Sequence, residues 1–375
     1  MVQNRYNLVD EPWISVAGKG LVSLSKIFSD PSLPALGGNP VQKIALTKLL
    51  LAIAQAAWTP MDEKEWEKVG AEGMAKKALA YLKNKKDLFW LYGKKPFLQM
   101  PGIKKAVIQS YGAVQIDKAS GNTTILNQIQ VEHGLNDAEK AQVLIQLMGF
   151  SLGGKKTDNS IVLSPNYKGK SKSGKPGASI GFIGFLHSFV LGSSLLETIW
   201  LNVLTNINIE SMKVLSGGLG IAPWERMPRG EDCRTARALK KTYMGRLIPL
   251  SRFVLLKKDG LHYSEGIAHP GYAEGIEDPT VAVKRSSKKP KVIWTDPERR
   301  PWRQLTALLS FISGDTNQYE NKQIKIAIPR AQKACETFRL WSGGLKVSNN
   351  AGEQYAVGLN DFVESDISIE SNSFG

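Results

Sequence analysis

Cysteine is scarce in this sequence, with only Cys233 and Cys335 among 375 residues. Two thiols exclude a disulfide framework and a four-ligand cysteine zinc site, on which many small secreted domains depend. Residues 1–13 also lack the apolar run of a secretory signal peptide. These absences predict a protein that works in a reducing, cytoplasmic setting.

Motifs for catalysis are equally sparse. The four histidines have neither HExxH nor HxH spacing. The GGLG run at 217–220 lacks the strand, third glycine and helix of a dinucleotide site, and also the lysine of a P-loop. We therefore predict no catalytic residue, no metal and no cofactor. One alternative stays open, a stand-alone metal-dependent nuclease built on His262, Glu265, His269 and Asp278.

One long apolar run requires a membrane test. Segment 181–205 has nearly enough apolar length to span a bilayer. His187, Ser188 and Glu197 interrupt it, and no basic cluster closely flanks its ends. We predict a single long helix buried in the domain, with His187 as a core histidine, and no membrane contact.

Positive charge, by contrast, is abundant. Lysine and arginine number 49 against 34 acids, which gives a net charge of +15 and a pI near 9.6. A surplus of this size favours a polyanionic partner. Nucleic acid is favoured over an anionic membrane, because no basic amphipathic helix faces a stripe of exposed aromatic residues.

The basic residues fall into four clusters, and aromatic residues that could stack on bases lie among them. The clusters are Lys168/Lys170/Lys172/Lys175, Arg226/Arg229/Arg234/Arg237/Lys240/Lys241, Lys284/Arg285/Lys288/Lys289/Lys291 and Arg299/Arg300/Arg303. The aromatic residues are Tyr167, Trp224, Tyr243, Trp294 and Trp302. In the third cluster we predict phosphate contacts at Lys284, Arg285, Lys288 and Lys289.

Hydrophobic periodicity predicts a mixture of helices and strands, and the length of the chain allows one extended domain or two. Helices are predicted at 41–58, 61–90 and 136–150, the last opened by a capping box of Asn136 and Glu139. Strands are predicted at 246–258, 279–285 and 289–295. A terminal hairpin is predicted at 338–363 with its loop at 348–354, and a frayed polar tail at 364–375.

Five short runs resemble one family when they are taken in order. They are NLVDEPWISV at 7–16, IALTKLLLAIAQAAW at 44–58, KKPFLQMPGIK at 94–104, LLETIWLNVLT at 195–205 and TYMGRLIPLSRFVLL at 242–256. Together they resemble the large subunit of the type I-E CRISPR Cascade complex, the CasA family, over nearly the whole chain. The resemblance implies an α+β fold: one large mixed α/β globular domain with irregular loops over residues 1–363, as in the N-terminal domain of that subunit.

The resemblance also implies a function. Such a subunit is not catalytic; it recognises the PAM, a short tag in double-stranded DNA, and nucleates target unwinding and R-loop formation. The implied partners are crRNA, double-stranded target DNA, the backbone, handle-binding and small subunits of Cascade, and a nuclease. A general RNA-binding protein and the metal-dependent nuclease named above stay open as alternatives.

Family knowledge places three candidate sites on this sequence. The stretch SPNYKGKSKSGKPG, which begins at Ser164, occupies the place of the PAM-sensing loop, with Asn166, Tyr167, Lys168 and Gly169 at the contacting tip and Lys170, Lys172 and Lys175 on phosphates. The run SNNA occupies the place of the DNA wedge, with Asn349, Asn350 and Ala351. The run TILNQ offers Ile125, Leu126 and Asn127 to the crRNA handle and neighbouring subunits.

The sequence departs from the family pattern in two places. The lysine with which the family helps to read the PAM has no aligned counterpart, although Lys257 and Lys258 lie near. The C-terminal four-helix bundle of the family is expected to be absent, as in a short form. On that expectation, its roles are delegated to other subunits, and a different nuclease partner could cut the target.

Overall fold

A computed structural model describes most of the chain. The described residues are 3–115, 134–151, 157–165, 167, 184–269, 278–284, 291–296, 298, 319–350, 353–356 and 362–370. Helices and strands alternate irregularly within these ranges. The predicted α+β class is confirmed.

The helices of the described ranges are α1 Leu24–Ser29, α2 Pro40–Ala57, α3 Glu63–Asn84, α4 Tyr111–Val114, α5 Asp137–Gly149, α6 Leu195–Asn202, α7 Asn206–Ser211, α8 Arg234–Leu239, α9 Met244–Leu247 and α10 Lys322–Ala334. The strands are β1 Arg5–Asn7, β2 Ile14–Val16, β3 Gly20–Val22, β4 Trp90–Tyr92, β5 Ile108–Gln109, β6 His187–Leu191, β7 Arg252–Leu256, β8 Leu261–Glu265, β9 Val283–Lys284, β10 Lys291–Val292, β11 Tyr319–Glu320, β12 Thr337–Leu345, β13 Val347–Asn350, β14 Glu353–Ala356 and β15 Phe362–Glu370.

Helix α2 forms the centre of the core. Asn39 and Gln42 close a capping box at its start and Pro40 occupies the first turn, where a missing N–H costs nothing. Its side chains are buried on most sides, because α3, α5, α6 and strand β12 all pack against it. The helix predicted at 41–58 is therefore confirmed within one residue at each end.

The next two predicted helices are confirmed with adjusted ends. Helix α3 ends at Asn84, short of the predicted residue 90, and at Gly70 its backbone leaves the helical region with φ 65°. That left-handed conformation favours glycine, since a Cβ would be strained there. Helix α5 begins after Asn136, and the predicted capping box with Glu139 is present.

The single helix predicted at 181–205 is wrong. The described part of this segment is strand β6, a turn at Gly192–Ser193, and helix α6, whose first turn is capped by the Ser194 hydroxyl. Helices α6 and α10 pack against β6, and four of its five residues are buried. A strand buried on both faces reads as a continuous apolar run, which periodicity does not distinguish from a buried helix. In the described part of the chain, no helix has the length and apolar character needed to cross a membrane.

The C-terminal hairpin has a different pairing from the predicted one. Strand β12 lies between β6 and β15 in an antiparallel sheet, while β13 and β14 pair with each other beyond it. The frayed tail predicted from residue 364 is wrong for 364–370, because these residues belong to β15 and pair with β12. The strand thus crosses the predicted domain boundary after residue 363. The predicted strands at 246–258, 279–285 and 289–295 are confirmed as the shorter β7, β9 and β10.

Candidate nucleic-acid interface

The chain that enters the predicted PAM loop is held by a buried carboxylate. Glu231 is fully buried, and both of its oxygens accept from the Leu163 N–H at 3.1 Å, while one accepts from the Ser164 N–H at 2.9 Å. In return, the Ser164 hydroxyl accepts from the Asp232 N–H at 3.0 Å. Charge-assisted hydrogen bonds to a buried carboxylate are stronger than neutral ones. The start of the loop is therefore fixed to the 230–232 segment.

A close backbone approach completes this clamp, defined here as the contacts between 163–164 and 230–232. A Cβ on Gly230 would lie 2.6 Å from the Ser164 Oγ and 3.0 Å from the Leu163 Cβ. Only glycine leaves room for such an approach. Glu231 is not among the residues predicted from the sequence. Its only sequence signal is its position as an acidic residue within the basic cluster at 226–241.

Tyr167 belongs to the stem of the loop by its contacts. Its N–H donates to the Ser164 carbonyl at 2.9 Å, and its side chain is half-buried with the hydroxyl enclosed. Burial, with nearby Glu265 and Glu231, raises the pKa of Tyr167 above its usual range. A DNA contact by this residue stays a prediction. The other predicted loop residues lie outside the described part of the chain: Asn166, Lys168, Gly169, Lys170, Lys172 and Lys175.

The hairpin of β13 and β14 carries the predicted wedge. Asn349 pairs with Gln354 and Asn350 with Glu353, so only residues 351 and 352 separate the two strands. The two asparagines thus end a strand, where a loop was predicted. Ala351 lies outside the described residues, as do Ile125, Leu126 and Asn127 of the predicted crRNA contact.

The base of this hairpin is tightly packed. A Cβ on Gly344, near the end of β12, would lie 2.2 Å from the Thr295 Oγ1 and 2.6 Å from the Phe185 carbonyl oxygen. The Phe185 ring meets Trp294 edge-on, with centroids 4.9 Å apart. The strand that leads into the hairpin is therefore pressed against two other segments, which fixes where the hairpin leaves the domain.

Lys284, a predicted phosphate contact, lies on β9 opposite Lys291 of β10 and Tyr319 of β11. Like charges directly opposite each other in a sheet repel. Arg285, Lys288 and Lys289 lie outside the described residues. The pairing thus places two lysines together, while phosphate binding stays a prediction.

A buried polar network holds the chain just before β9. Lys48 of α2 is 2% exposed and forms an ion pair with Asp278. The other Asp278 oxygen accepts from the Thr280 N–H at 3.0 Å and hydroxyl at 2.7 Å, and the Thr280 hydroxyl lies 2.8 Å from the His187 Nδ1. Burial raises the pKa of Asp278, but Lys48 and His187 outweigh it and hold the pKa below its usual value. Burial lowers the pKa of His187 to about 3.

The four residues of the metal-nuclease alternative do not come together as ligands. The His262 Nδ1 lies 2.7 Å from the Ala106 carbonyl and the His269 Nε2 lies 2.8 Å from the Pro249 carbonyl, while Asp278 pairs with Lys48. Among the residues that the structure describes, no three His, Cys, Asp or Glu side chains form a group able to hold a metal. His262, His269 and Asp278 act instead as buried polar contacts of the core, and this alternative is not supported.

The described fold is an α+β domain. Residues 7–371 match the family model of the CRISPR-associated protein Cse1, and the chain therefore belongs to the Cse1 family. The CRISPR-associated protein CasA/Cse1 of Thermus thermophilus is 28% identical over an alignment of 335 residues, and the match covers 81% of this chain. The chain covers 60% of that relative's length.

Solved structures share the fold at low sequence identity. Thermobifida fusca Cse1 has a TM-score of 0.75 at 20% identity, over 98% of this chain and 74% of that one. Thermus thermophilus CasA (Cse1) has a TM-score of 0.69 at 18% identity, over 97% of this chain and 73% of that one. A chain of a CRISPR RNA-guided surveillance complex has a TM-score of 0.70 at 18% identity, over 97% of this chain and 75% of that one.

Proposed function

We propose that this chain is a non-catalytic subunit of a CRISPR RNA-guided surveillance complex. It recognises the PAM in double-stranded DNA and nucleates target unwinding and R-loop formation. Membership of the Cse1 family and the fold shared with a surveillance-complex chain support this role. In such complexes the guide RNA reads the sequence by base pairing, and the protein reads only the short tag.

The observation that carries the proposal is that both candidate DNA-contacting segments leave the domain from a tightly held base. The first segment is the loop that begins at Ser164, whose entry is held by Glu231. The second is the β13–β14 hairpin, whose first strand ends at Asn350 and whose base is closely packed at Gly344. A loop that reads a groove and a wedge that parts base pairs both need a rigid base, because compliance would absorb the energy of unstacking.

The implied partners follow from the proposed role. They are crRNA, the double-stranded target, the backbone, handle-binding and small subunits, and a nuclease that cuts the opened DNA. The net charge of +15 suits a surface that faces polyanions. The chain alone supplies neither the sequence specificity nor the cut.

The test separates first contact from opening. The complex is assembled with its crRNA and partner subunits, duplex affinity is measured by gel shift, and strand opening is followed by 2-aminopurine fluorescence. Asn350→Ala removes the amide with which the wedge would stabilise the opened base step. If that contact is worth ~1–2 kcal/mol, strand opening should slow by about tenfold while duplex affinity changes little. Ser348→Ala, on the same strand but further from the tip, is the matched control.

Charge reversal of the loop gives the opposite pattern. Lys168→Glu with Lys170→Glu weakens duplex binding, because it removes phosphate contacts that precede opening. The proposal fails if both the Asn350 variant and the loop variant form R-loops at the rate of the unchanged complex. Equal weakening of single-stranded RNA binding would favour a general RNA-binding protein instead.

A further inference from the structure

Exposed basic residues flank the 230–232 side of the clamp along the chain. Arg226, Arg229, Arg234 and Lys241 are all exposed, and they are called here the arginine patch. Residue 229 immediately precedes the Gly230–Asp232 side of the clamp, and Arg234 begins helix α8 two residues beyond it. The patch and the stem of the predicted PAM loop are thus parts of one folded unit.

The acidic residues nearest the patch are engaged elsewhere. Asp232 pairs with Arg237 at 3.1 Å and lies 3.7 Å from Lys240. Glu225 accepts from the Tyr81 hydroxyl at 3.0 Å and lies 3.5 Å from Lys85. Glu231 holds the loop stem. Within the described residues, no salt bridge or side-chain hydrogen bond joins the four patch residues to an acid.

The segment that carries the patch is rigid. Trp224 is 6% exposed, its indole N–H donates to the Tyr81 hydroxyl at 2.7 Å, and its ring lies 5.8 Å from that of Phe89. Ala236 and Leu239 on α8 are buried in the same core. The cations therefore project from a fixed backbone, so that a bound ligand needs to order little more than the side chains.

The chemistry of the surface distinguishes a duplex from a single strand. Single-strand sites combine cations with exposed aromatic rings on which bases stack. Here the two aromatic residues near the cluster, Trp224 and Tyr243, are buried at 6% and 0% exposure, which removes them as stacking platforms. What remains is guanidinium and ammonium groups, which match phosphate oxygens.

We propose that the arginine patch binds the phosphate backbone of the DNA duplex that flanks the tag contacted by the loop. This inference rests on the proposed function for the position of the duplex. The clamp through Glu231 would hold the patch and the loop at a fixed spacing, so that both could contact the same DNA duplex at once. The patch would add affinity that does not depend on sequence.

Salt dependence of binding provides the test. The full-length chain is titrated with a fluorescein-labelled 30-bp duplex at several KCl concentrations, and anisotropy gives the slope of log K against log salt. Each lost phosphate contact lowers the magnitude of that slope by about 0.9 on B-DNA. Arg226→Gln with Arg229→Gln, and separately Arg234→Gln with Lys241→Gln, should each lower it by about 1.8.

Lys64→Gln with Lys68→Gln is the matched control, because both lysines are exposed near the other end of α3 from the Tyr81 contact. The control removes the same charge and should leave the slope unchanged. All substituted side chains are exposed, so the variants should fold, and an unchanged thermal midpoint verifies this.

Three outcomes are distinguishable. The inference is overturned, while the proposed function stands, if the patch variants match the control and Lys168→Gln with Lys170→Gln still weakens duplex binding. The proposed function is overturned if the loop variant has no effect as well. If the patch variants weaken only a single-stranded RNA of the same length, the ligand is RNA and the inference is wrong.

Discussion

The buried ion pair of Lys48 and Asp278 allows a quantitative prediction. Lys48 donates to Asp278 and, at 3.2 Å, to the Arg246 carbonyl from inside helix α2. Lys48→Met keeps the side-chain volume and removes the charge. The Asp278 carboxylate then stays buried without its lysine, which costs ~3–5 kcal/mol of unfolding free energy.

A second substitution separates the charge effect from packing. Asp278→Asn leaves an amide oxygen that still accepts from the Thr280 N–H and hydroxyl. In the double variant no unpaired charge remains, so its free energy of unfolding should return to within ~1–2 kcal/mol of the unchanged protein. Urea unfolding followed by tryptophan fluorescence measures all four proteins and yields the coupling energy of the cycle.

The same pair predicts a dependence on pH. The pKa of Asp278 is lower in the folded protein than in the unfolded chain, so the stability it contributes is present above the unfolded value of about 3.9 and is lost as pH falls below it. In Lys48→Met the burial that raises the pKa of Asp278 is no longer opposed by the lysine, so the gap between the two proteins should already begin to narrow above about pH 4 and continue to narrow below it. Additive losses in the double variant, or a gap that does not vary with pH, would refute the reasoning.

Two further predictions concern other titrating groups. Burial lowers the pKa of both His187 and His269 to about 3. Below about pH 6.5 these histidines are therefore protonated in the unfolded chain but not in the folded protein. The free energy of unfolding should fall there by roughly 1.4 kcal/mol per pH unit for each histidine. His269→Gln should remove about half of that slope in urea unfolding between pH 5 and 7, and an unchanged slope would contradict the assignment. Burial raises the pKa of Cys233, but backbone hydrogen bonds led by that of Ala236 lower it overall, whereas burial and Glu197 raise the pKa of Cys335 to about 12. Iodoacetamide at pH 7.5 should therefore label Cys233 first by mass spectrometry, and equal labelling rates would refute this.

The elements that could be predicted from the sequence are those specified by local rules. Helices α2 and α5 follow from their long apolar runs, and α5 follows also from the capping box at Asn136, which is a signal within one turn of chain. Strand β6 failed because burial on both faces removes the alternation that identifies a strand. A run without alternation is assigned by its length alone, which favours a helix even where, as at 181–205, a strand and a helix share the run.

The residues of the candidate site could be proposed from the sequence, but the contacts that hold them could not. The candidate basic residues and asparagines are chosen from charge patterning and from the resemblance, both of which can be read from the sequence, and their roles stay predictions. The contacts could not be predicted, since Glu231 acts on residues 67 and 68 positions earlier and Asp278 meets Lys48 across 230 positions. Such long-range pairs follow from the fold and leave no periodic signal in the sequence.

The position of strand β15 has a practical consequence for work on this protein. It covers one whole edge of β12, from the Thr337–Glu370 pair to the Leu345–Phe362 pair. Shortening the chain at residue 361 would uncover the hydrogen-bonding groups of the full nine-residue strand β12. Such an edge recruits strands from other molecules. Truncated versions would therefore tend to aggregate for reasons unrelated to DNA, and affinity tags or fusions should be placed beyond Glu370.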